Sequence, residues 1–205
     1  NTDSAESIEP NEAATETSGS ESTEVGETAE ETVEEVTAEV SIETAEAGDV
    51  VETEAGTYEI VKVAEEIGGL KTGPITYTIE RAYLAKFTPN DFEAFLFEDE
   101  PNVDGSIHAL VTVGVAENSG DEYVSFDPFF ADVFVGGSKP YEAQMYLNEG
   151  DSDISAGKSQ EFVTAYNLED EAIEEVTEVN VKQYGPSDGD YMQAGEDLEF
   201  TISFE

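Results

Sequence analysis

The sequence predicts an all-β protein: an antiparallel sandwich of about seven to nine strands with one or two short helices, preceded by a disordered acidic tail. Three observations lead to this fold class. The segment 106–118 is apolar on both alternating faces, as in a strand that is covered on both sides. From residue 57 onward, short apolar segments are separated by Gly, Pro, Asn and Asp. The two short helical candidates are too few to provide the crossovers of a parallel sheet.

The composition changes near residue 55. The first 54 residues contain 18 Asp or Glu and no Lys or Arg, and no aromatic residue precedes Tyr58. Such a segment buries too little apolar surface to offset its chain entropy. We therefore predict two regions, a disordered Glu/Thr/Ser-rich tether at 1–54 and a folded domain at 55–205. Val33, Val36 and Val40 have the spacing of a binding helix, but β-branched residues and repelling Glu pairs oppose a helix there.

The net charge of −43 restricts the partners. The summed field repels nucleic acid phosphates and anionic membrane surfaces, so nucleic acid binding is excluded from our prediction. Metal cations, cationic ligands and an unknown protein remain as partners. Solubility or adaptation to high salt would also explain the acidity. The chain has no Cys, which excludes disulfides, thiolate chemistry and Cys-based zinc sites.

No run of 18 apolar residues occurs, so the sequence predicts no transmembrane segment. The chain begins at Asn1 without a basic and apolar leader, as a mature or trimmed form would. A signal peptide or a lipidated residue upstream of Asn1 would fit this beginning.

The first strand pair is predicted at 58–63 and 75–87, joined by glycines and the Gly73-Pro74 turn. In the second strand, one face is expected to carry Ile75, Tyr77, Ile79, Tyr83, Ala85 and Phe87. Arg81 falls on that same face. Since an inward Arg is costly unless it is paired, it indicates a β-bulge, a side chain reaching out at the sheet margin, or a functional cation.

Two short helices are predicted at the ends of the sandwich. Thr88-Pro89-Asn90-Asp91 has the chemistry of a helix start, and Phe92, Phe95 and Leu96 follow on one side. The segment 168–176 is expected to form one or two helical turns. Further strands are predicted at 123–126, 129–135, 141–147, 161–168, 178–182 and 198–204, with Asp127-Pro128 interrupting the ladder between the first two.

The sequence shows no catalytic motif. His108 is the sole His, so no multi-His metal site can exist, and its place at the start of the central strand favours a hydrogen-bonded structural role. Paired carboxylates could support a hydrolase, but 50 acidic residues make their presence uninformative. No cofactor is predicted, with calcium as the alternative.

Calcium is the metal that the Asp-rich loops would suit. Asp99, Asn102 and Asp104 are the predicted ligands; the loop begins like an EF-hand, yet its closing position falls at Val111 inside the central strand. Two further pairs are Asp151 with Asp153 and Asp188 with Asp190. Solvated turn residues are the competing interpretation of all three groups.

An acidic tether followed by ITYTIERAYLAKF, IHALVTVGVAENSGDEYVSFDP, AGKSQEFVTAYNLEDEAIEEVTEVNV and DLEFTISF resembles the immunoglobulin-like domains of Gram-positive cell-surface lipoproteins. The resemblance covers about residues 57–205 and implies export, a lipid anchor before the tether, and a role in binding or display. We expect a monomeric, non-catalytic extracytoplasmic module, anchored at the cell surface or secreted, that binds a ligand through its loops. A calcium-dependent adhesion module and a carboxylate-based hydrolase are the alternatives.

Overall fold

Ten β-strands and no helix form the regular structure of the part of the chain that the computed structural model describes, namely residues 41–90, 105–137, 140–141, 143, 148–169 and 171–205. These residues belong to one compact unit, Ala38–Glu205. In chain order the strands are β1 (Val50–Glu52), β2 (Gly56–Thr72), β3 (Ile75–Pro89), β4 (Ile107–Asn118), β5 (Val124–Ser125), β6 (Ala131–Phe134), β7 (Asp153–Ile154), β8 (Ser159–Asn167), β9 (Glu178–Gln183) and β10 (Leu198–Ser203).

The larger sheet has five antiparallel strands in the order β1-β2-β3-β4-β8. The predicted central strand is β4, and it has the expected neighbours on both edges, β3 and β8. Its two faces are both buried, because Ile107, Ala109 and Val111 pack into one apolar cluster while Leu110 packs into another. The prediction of a strand covered on both faces is confirmed.

A smaller antiparallel sheet, in the order β10-β9-β6, packs against the larger one. Their shared cluster joins Leu84 and Leu110 from the larger sheet to Val133, Val181 and Ile202 from the smaller one. β5 and β7 form a separate two-stranded ladder. The all-β antiparallel class is therefore confirmed, and the immunoglobulin-like topology stays a prediction.

Described residues that follow β6 form β-bridges to strands of both sheets. Tyr141 forms a β-bridge with Val133 of β6, and Ala143 forms another with Tyr166 of β8. Farther along, Glu149 bridges Val163, and the Asn148 side-chain oxygen accepts the Ala165 backbone N–H at 3.0 Å. Ala143, Asn148 and Glu149, which follow β6 in the described part of the chain, thus lie along the outer edge of β8.

The prediction that β3 has one continuous apolar face is wrong, because the pairing of β3 with β4 shifts register between Ile79 and Arg81. Ile79 therefore packs in the same cluster as Phe126, whereas Tyr83 packs with Ala45 and Val51. Arg81 lies on the same side of the register shift as Tyr83. A β-bulge redirects the side chains that follow it in this way. A bulge is one of the three explanations that the sequence offers for the inward Arg81.

The fold begins earlier than the composition indicates. β1 lies within the predicted tether and pairs with the start of β2. Ala45 and Val51 are only 0% and 2% exposed. The predicted boundary at 54/55 consequently falls between two paired strands, because a short strand flanked by acidic residues has the composition of a linker.

Neither predicted helix appears among the described residues. Thr88 and Pro89 continue β3 and pair with Thr57 and Gly56, so they do not begin a helix; Pro is tolerated there because it ends the strand. Phe92, Phe95 and Leu96 lie outside the described residues. Within 168–176, backbone bonds from Glu171 to Leu168 and from Glu175 to Ala172 close turns.

Candidate ligand-binding pocket

Two segments that are distant in the sequence, 123–130 and 184–192, lie side by side at one edge of the domain. Ser125 and Ser187 form an antiparallel bridge and exchange two backbone hydrogen bonds of 2.9 Å. Burial alternates around Ser125, since Val124 before it and Phe126 after it are both buried in the core. The residues that alternate with them, Tyr123, Ser125 and Asp127, are exposed or partly exposed.

Exposed apolar side chains concentrate on these segments. Of the six large hydrophobic residues that are exposed in the described part of the chain, five lie here: Tyr123, Phe130, Tyr184, Tyr191 and Met192. Phe130 is 67% and Tyr191 is 91% exposed. Grouped exposed apolar surface of this kind marks an interaction site on a soluble domain.

A pocket of about 630 Å³ opens where β6 begins. Its volume lies in the range of small-molecule sites. The described residues that line it are Asp127, Phe129, Phe130, Ala131, Asp132, Ala143, Asn148 and Tyr184. The pocket thus combines aromatic walls with two carboxyl side chains.

Asp127 is the half-buried acid of this pocket. Its Oδ1 accepts the backbone N–H of Phe129 at 3.0 Å, and desolvation raises the pKa of its carboxyl group above the ordinary value. The next residue is fixed by the core, because the Tyr166 hydroxyl donates to the Pro128 carbonyl at 2.7 Å. Burial also raises the pKa of Tyr166 well above its usual value, so this hydroxyl keeps the proton that it donates.

Gln183 holds the pocket's two segments together. Its side chain is 2% exposed, and its Nε2 donates to the carbonyl oxygens of Asp127 at 2.9 Å and Phe130 at 3.2 Å. A third contact, at 3.3 Å, reaches the carbonyl of Tyr184. One buried amide therefore positions the loop before β6 relative to the end of β9.

Tyr184 and Asp132 form the opposite wall. The Tyr184 hydroxyl donates to Asp132 Oδ2 at 3.0 Å, and this bond to a carboxylate raises the pKa of Tyr184. The Lys182 ammonium lies 5.5 Å from the centre of the Tyr184 ring, so this ring already contacts one cation. Aromatic faces beside carboxylates are the groups that attract an organic cation.

The calcium site predicted at Asp99, Asn102 and Asp104 stays a prediction. Asp99, Asn102 and Asp104 lie outside the described residues. Asp151 and Asp188 each use Oδ1 to accept backbone N–H groups two residues onward, at 3.0 Å in both cases, as turn-forming residues do. Across the described ranges, no three His, Cys, Asp or Glu side chains are grouped closely enough to hold a metal ion.

His108 is 5% exposed, and its Nδ1 lies 2.7 Å from the carbonyl oxygen of Glu171. This contact agrees with the structural role predicted for it. Arg81 is not among the described residues that line the pocket. It forms ion pairs with Glu46 and Glu65 instead.

The sequence did not single out the pocket residues. The Asp127-Pro128 pattern indicates only an interruption between strands, and no pattern in the sequence assigns a role to Tyr184. The available signal was the accumulation of aromatic residues around two Pro-containing breaks, at Pro128 and Pro186, but nothing local indicates that these breaks pair.

No protein-family model matches the chain. The chain is 24% identical over 162 residues to the SPβ prophage-derived uncharacterized lipoprotein YonS of Bacillus subtilis, which covers 77% of this chain and 71% of that protein. A functionally unknown protein from Listeria monocytogenes has a similar fold, with a TM-score of 0.53, 8% identity, and coverage of 73% of this chain and 89% of the other. None of the described residues forms a helix long and apolar enough to cross a bilayer.

Proposed function

We propose that this protein is a non-catalytic, lipid-anchored module outside the cytoplasm, and that its pocket binds an organic cation with an apolar body. The proposed location rests on the similarity to a lipoprotein. The immunoglobulin-like sandwich is the architecture that we propose for the domain, on the resemblance of residues 57–205 and on the two packed antiparallel sheets.

The observation that carries the ligand class is the exposure of Phe130 and Tyr184 beside the carboxyl groups of Asp127 and Asp132. An ammonium group over an exposed ring gains about 0.5–1 kcal/mol. The carboxylates add direct attraction, and the net charge of −43 enriches cations around the whole surface. A neutral ligand of the same shape gains only the apolar contacts.

Isothermal titration calorimetry with 2-phenylethylammonium and its neutral counterpart 2-phenylethanol tests this proposal. At 0.15 M salt, where surface attraction is screened, the cation should bind saturably and the alcohol should not. Asp132→Asn should weaken binding about fivefold, the equivalent of roughly 1 kcal/mol. Glu59→Gln is the matched control, because it removes one charge from an exposed position on β2.

Equal affinity for the cation and the alcohol would reject the ligand class, and so would an equal loss of affinity in Asp132→Asn and Glu59→Gln. A parallel titration with Ca²⁺ addresses the calcium-dependent alternative; saturable heat that survives Asp132→Asn would place a calcium site elsewhere on the protein.

A carboxylate-based hydrolase is the second candidate, because both acids line one pocket and the pKa of Asp127 is raised. Such a pair can divide acid and base roles in glycoside cleavage. Turnover of aryl glycosides that disappears in Asp127→Asn would favour the hydrolase over the binding module.

A further inference from the structure

A second hollow lies on the other side of the Ser125–Ser187 bridge. Its volume is about 480 Å³, and the described residues that line it are Glu122, Tyr123, Asp188, Gly189 and Asp190. It repeats the chemistry of the first pocket, with an exposed aromatic ring among carboxyl side chains. Tyr123 is 49% exposed.

The antiparallel bridge determines how the two hollows are arranged. The first pocket uses residues that follow Ser125 and precede Ser187, whereas the second uses residues that precede Ser125 and follow Ser187. Tyr123 and Asp127 flank the two-residue strand β5, and both are at least partly exposed. At about 3.3 Å per residue, an extended backbone over this segment would span roughly 13 Å between the two positions.

Backbone contacts hold the second hollow in place. The Asp188 carboxylate accepts the backbone N–H groups of Asp190 at 3.0 Å and of Met192 at 2.9 Å. Gly189 lies directly against the Tyr123 ring, since a Cβ at this position would approach the Tyr123 hydroxyl oxygen to 2.6 Å. Gly189 therefore packs against the ring, while about half of the Tyr123 surface stays exposed.

Apolar surface continues beyond the hollow. Tyr191 and Met192 are 91% and 65% exposed, and Tyr191 adopts a left-handed backbone conformation with φ of 60°. A single small cation would leave these side chains uncovered. A longer ligand would bury them and gain their apolar contact area.

We infer that this edge binds a basic, extended polypeptide segment and accommodates two of its cationic side chains, four residues apart, in the two hollows. The inference rests on the proposed function for the first hollow and adds the ligand class. The spacing follows from the 13 Å estimate, because residues i and i+4 of an extended chain lie about 13 Å apart on the same face. Carboxyl groups in both hollows supply the charge complementarity.

Three capped pentapeptides test the inference by calorimetry at 0.15 M salt: Arg-Gly-Ser-Gly-Arg, its isomer Gly-Arg-Arg-Ser-Gly, and the singly charged Arg-Gly-Ser-Gly-Gln. The first should bind about tenfold more tightly than the other two, because only it can occupy both hollows in one intramolecular arrangement. In Asp190→Asn this advantage should disappear, while the amide shifts that 2-phenylethylammonium causes at residues 127–132 of the first pocket should be retained. Glu59→Gln should retain both.

Equal binding of the two doubly charged peptides to the unmodified protein would overturn the inference, because affinity would then follow total charge. So would an advantage that survives both Asp190→Asn and Tyr123→Ala. The two proposals fail separately: absence of 2-phenylethylammonium binding rejects the first hollow, whereas its binding without any dependence on peptide spacing rejects only the polypeptide ligand.

Discussion

The guanidinium of Arg81 donates from Nη1 to the main-chain oxygen of Ala45 at 2.9 Å. Its Nη2 donates to Glu46 Oε1 at 2.9 Å and also to the carboxylate of Glu65. One cation on β3 therefore ties the segment before β1 to the bulged part of β2. These hydrogen bonds raise the pKa of Arg81, which keeps its charge in the folded protein.

Truncation should locate the true start of the folded domain. Removing residues 1–54 deletes β1 and the buried side chains of Ala45 and Val51, and leaves Arg81 without two of its partners. Loss of the buried Val alone should cost about 2 kcal/mol. We expect a clearly lower thermal midpoint for this truncation than for removal of residues 1–40, measured by circular dichroism. Identical midpoints for the two truncations would show that residues 41–54 do not stabilise the fold.

Gly114 should resist substitution because it lies opposite the bulge. A Cβ on Gly114 would come within 2.6 Å of the Thr78 carbonyl oxygen, a backbone atom that cannot move aside cheaply. Gly114→Ala should lower the free energy of unfolding by about 1–3 kcal/mol in urea titrations.

Gly69→Ala is the matched control, since the nearest atom to its Cβ would be Thr78 Oγ1 at an ordinary 3.5 Å. It should change stability by less than about 1 kcal/mol and in the stabilising direction. Equal costs for the two substitutions would contradict the close approach of β3 and β4.

The sequence predicts the elements whose signal is local. β4 was recognisable because both of its faces are apolar, and β10 because Leu198, Phe200 and Ile202 alternate with polar residues. β1 was missed because three residues among acids carry too little periodicity. The bulge next to Arg81 redirects the second half of β3, and the sequence marks it only by one polar residue on the apolar face, which has three explanations, so alternation alone assigned one continuous face.

The candidate site was not predictable because its construction is non-local. The bridge between Ser125 and Ser187 joins segments 62 positions apart, and the amide of Gln183 reaches a carbonyl 56 positions away. In the sequence, each segment has only the pattern of a strand that ends at a Pro. Only their pairing brings Asp127 and Tyr184 to one pocket.

Gln183 is expected to act as a positioning residue. In Gln183→Met, a side chain of similar length would bury no donor, and the carbonyls of Asp127 and Phe130 would each lose this partner. The cost should be about 1–3 kcal/mol of unfolding free energy. Affinity for 2-phenylethylammonium should fall as the loop loosens.

The matched control is Gln160→Met, because Gln160 donates only to the carbonyl of the adjacent Glu161 among its described contacts. It should leave both stability and affinity nearly unchanged. Unaltered affinity in a folded Gln183→Met variant would contradict the positioning role.

Asp127 should show opposite effects on stability and on binding. Its pKa is raised in the folded protein, so the folded state binds the proton more tightly than the unfolded state, and stability from this group increases as pH falls through that window. At neutral pH its buried charge is unfavourable. Asp127→Asn, which can still accept the Phe129 N–H, should therefore slightly raise the thermal midpoint at pH 7 and weaken cation binding about fivefold.

Thermal scans and calorimetric titrations of the unmodified protein and Asp127→Asn between pH 4 and 8 check this prediction. Cation affinity of the unmodified protein should decrease on acidification, as the carboxylate is protonated. A variant that is both less stable and equally competent in binding would show that Asp127 has a structural role alone.

The most direct test of the proposed pocket is an amide chemical-shift titration of the full chain with 2-phenylethylammonium at 0.15 M salt. We predict saturable shifts at residues 127–132 and 184, accompanied at most by shifts in the second hollow at 122–123 and 188–190, with much smaller shifts for 2-phenylethanol. Shifts spread evenly over acidic residues of the surface, or no saturable shift at the pocket, would contradict the assignment of this site as a receptor for organic cations.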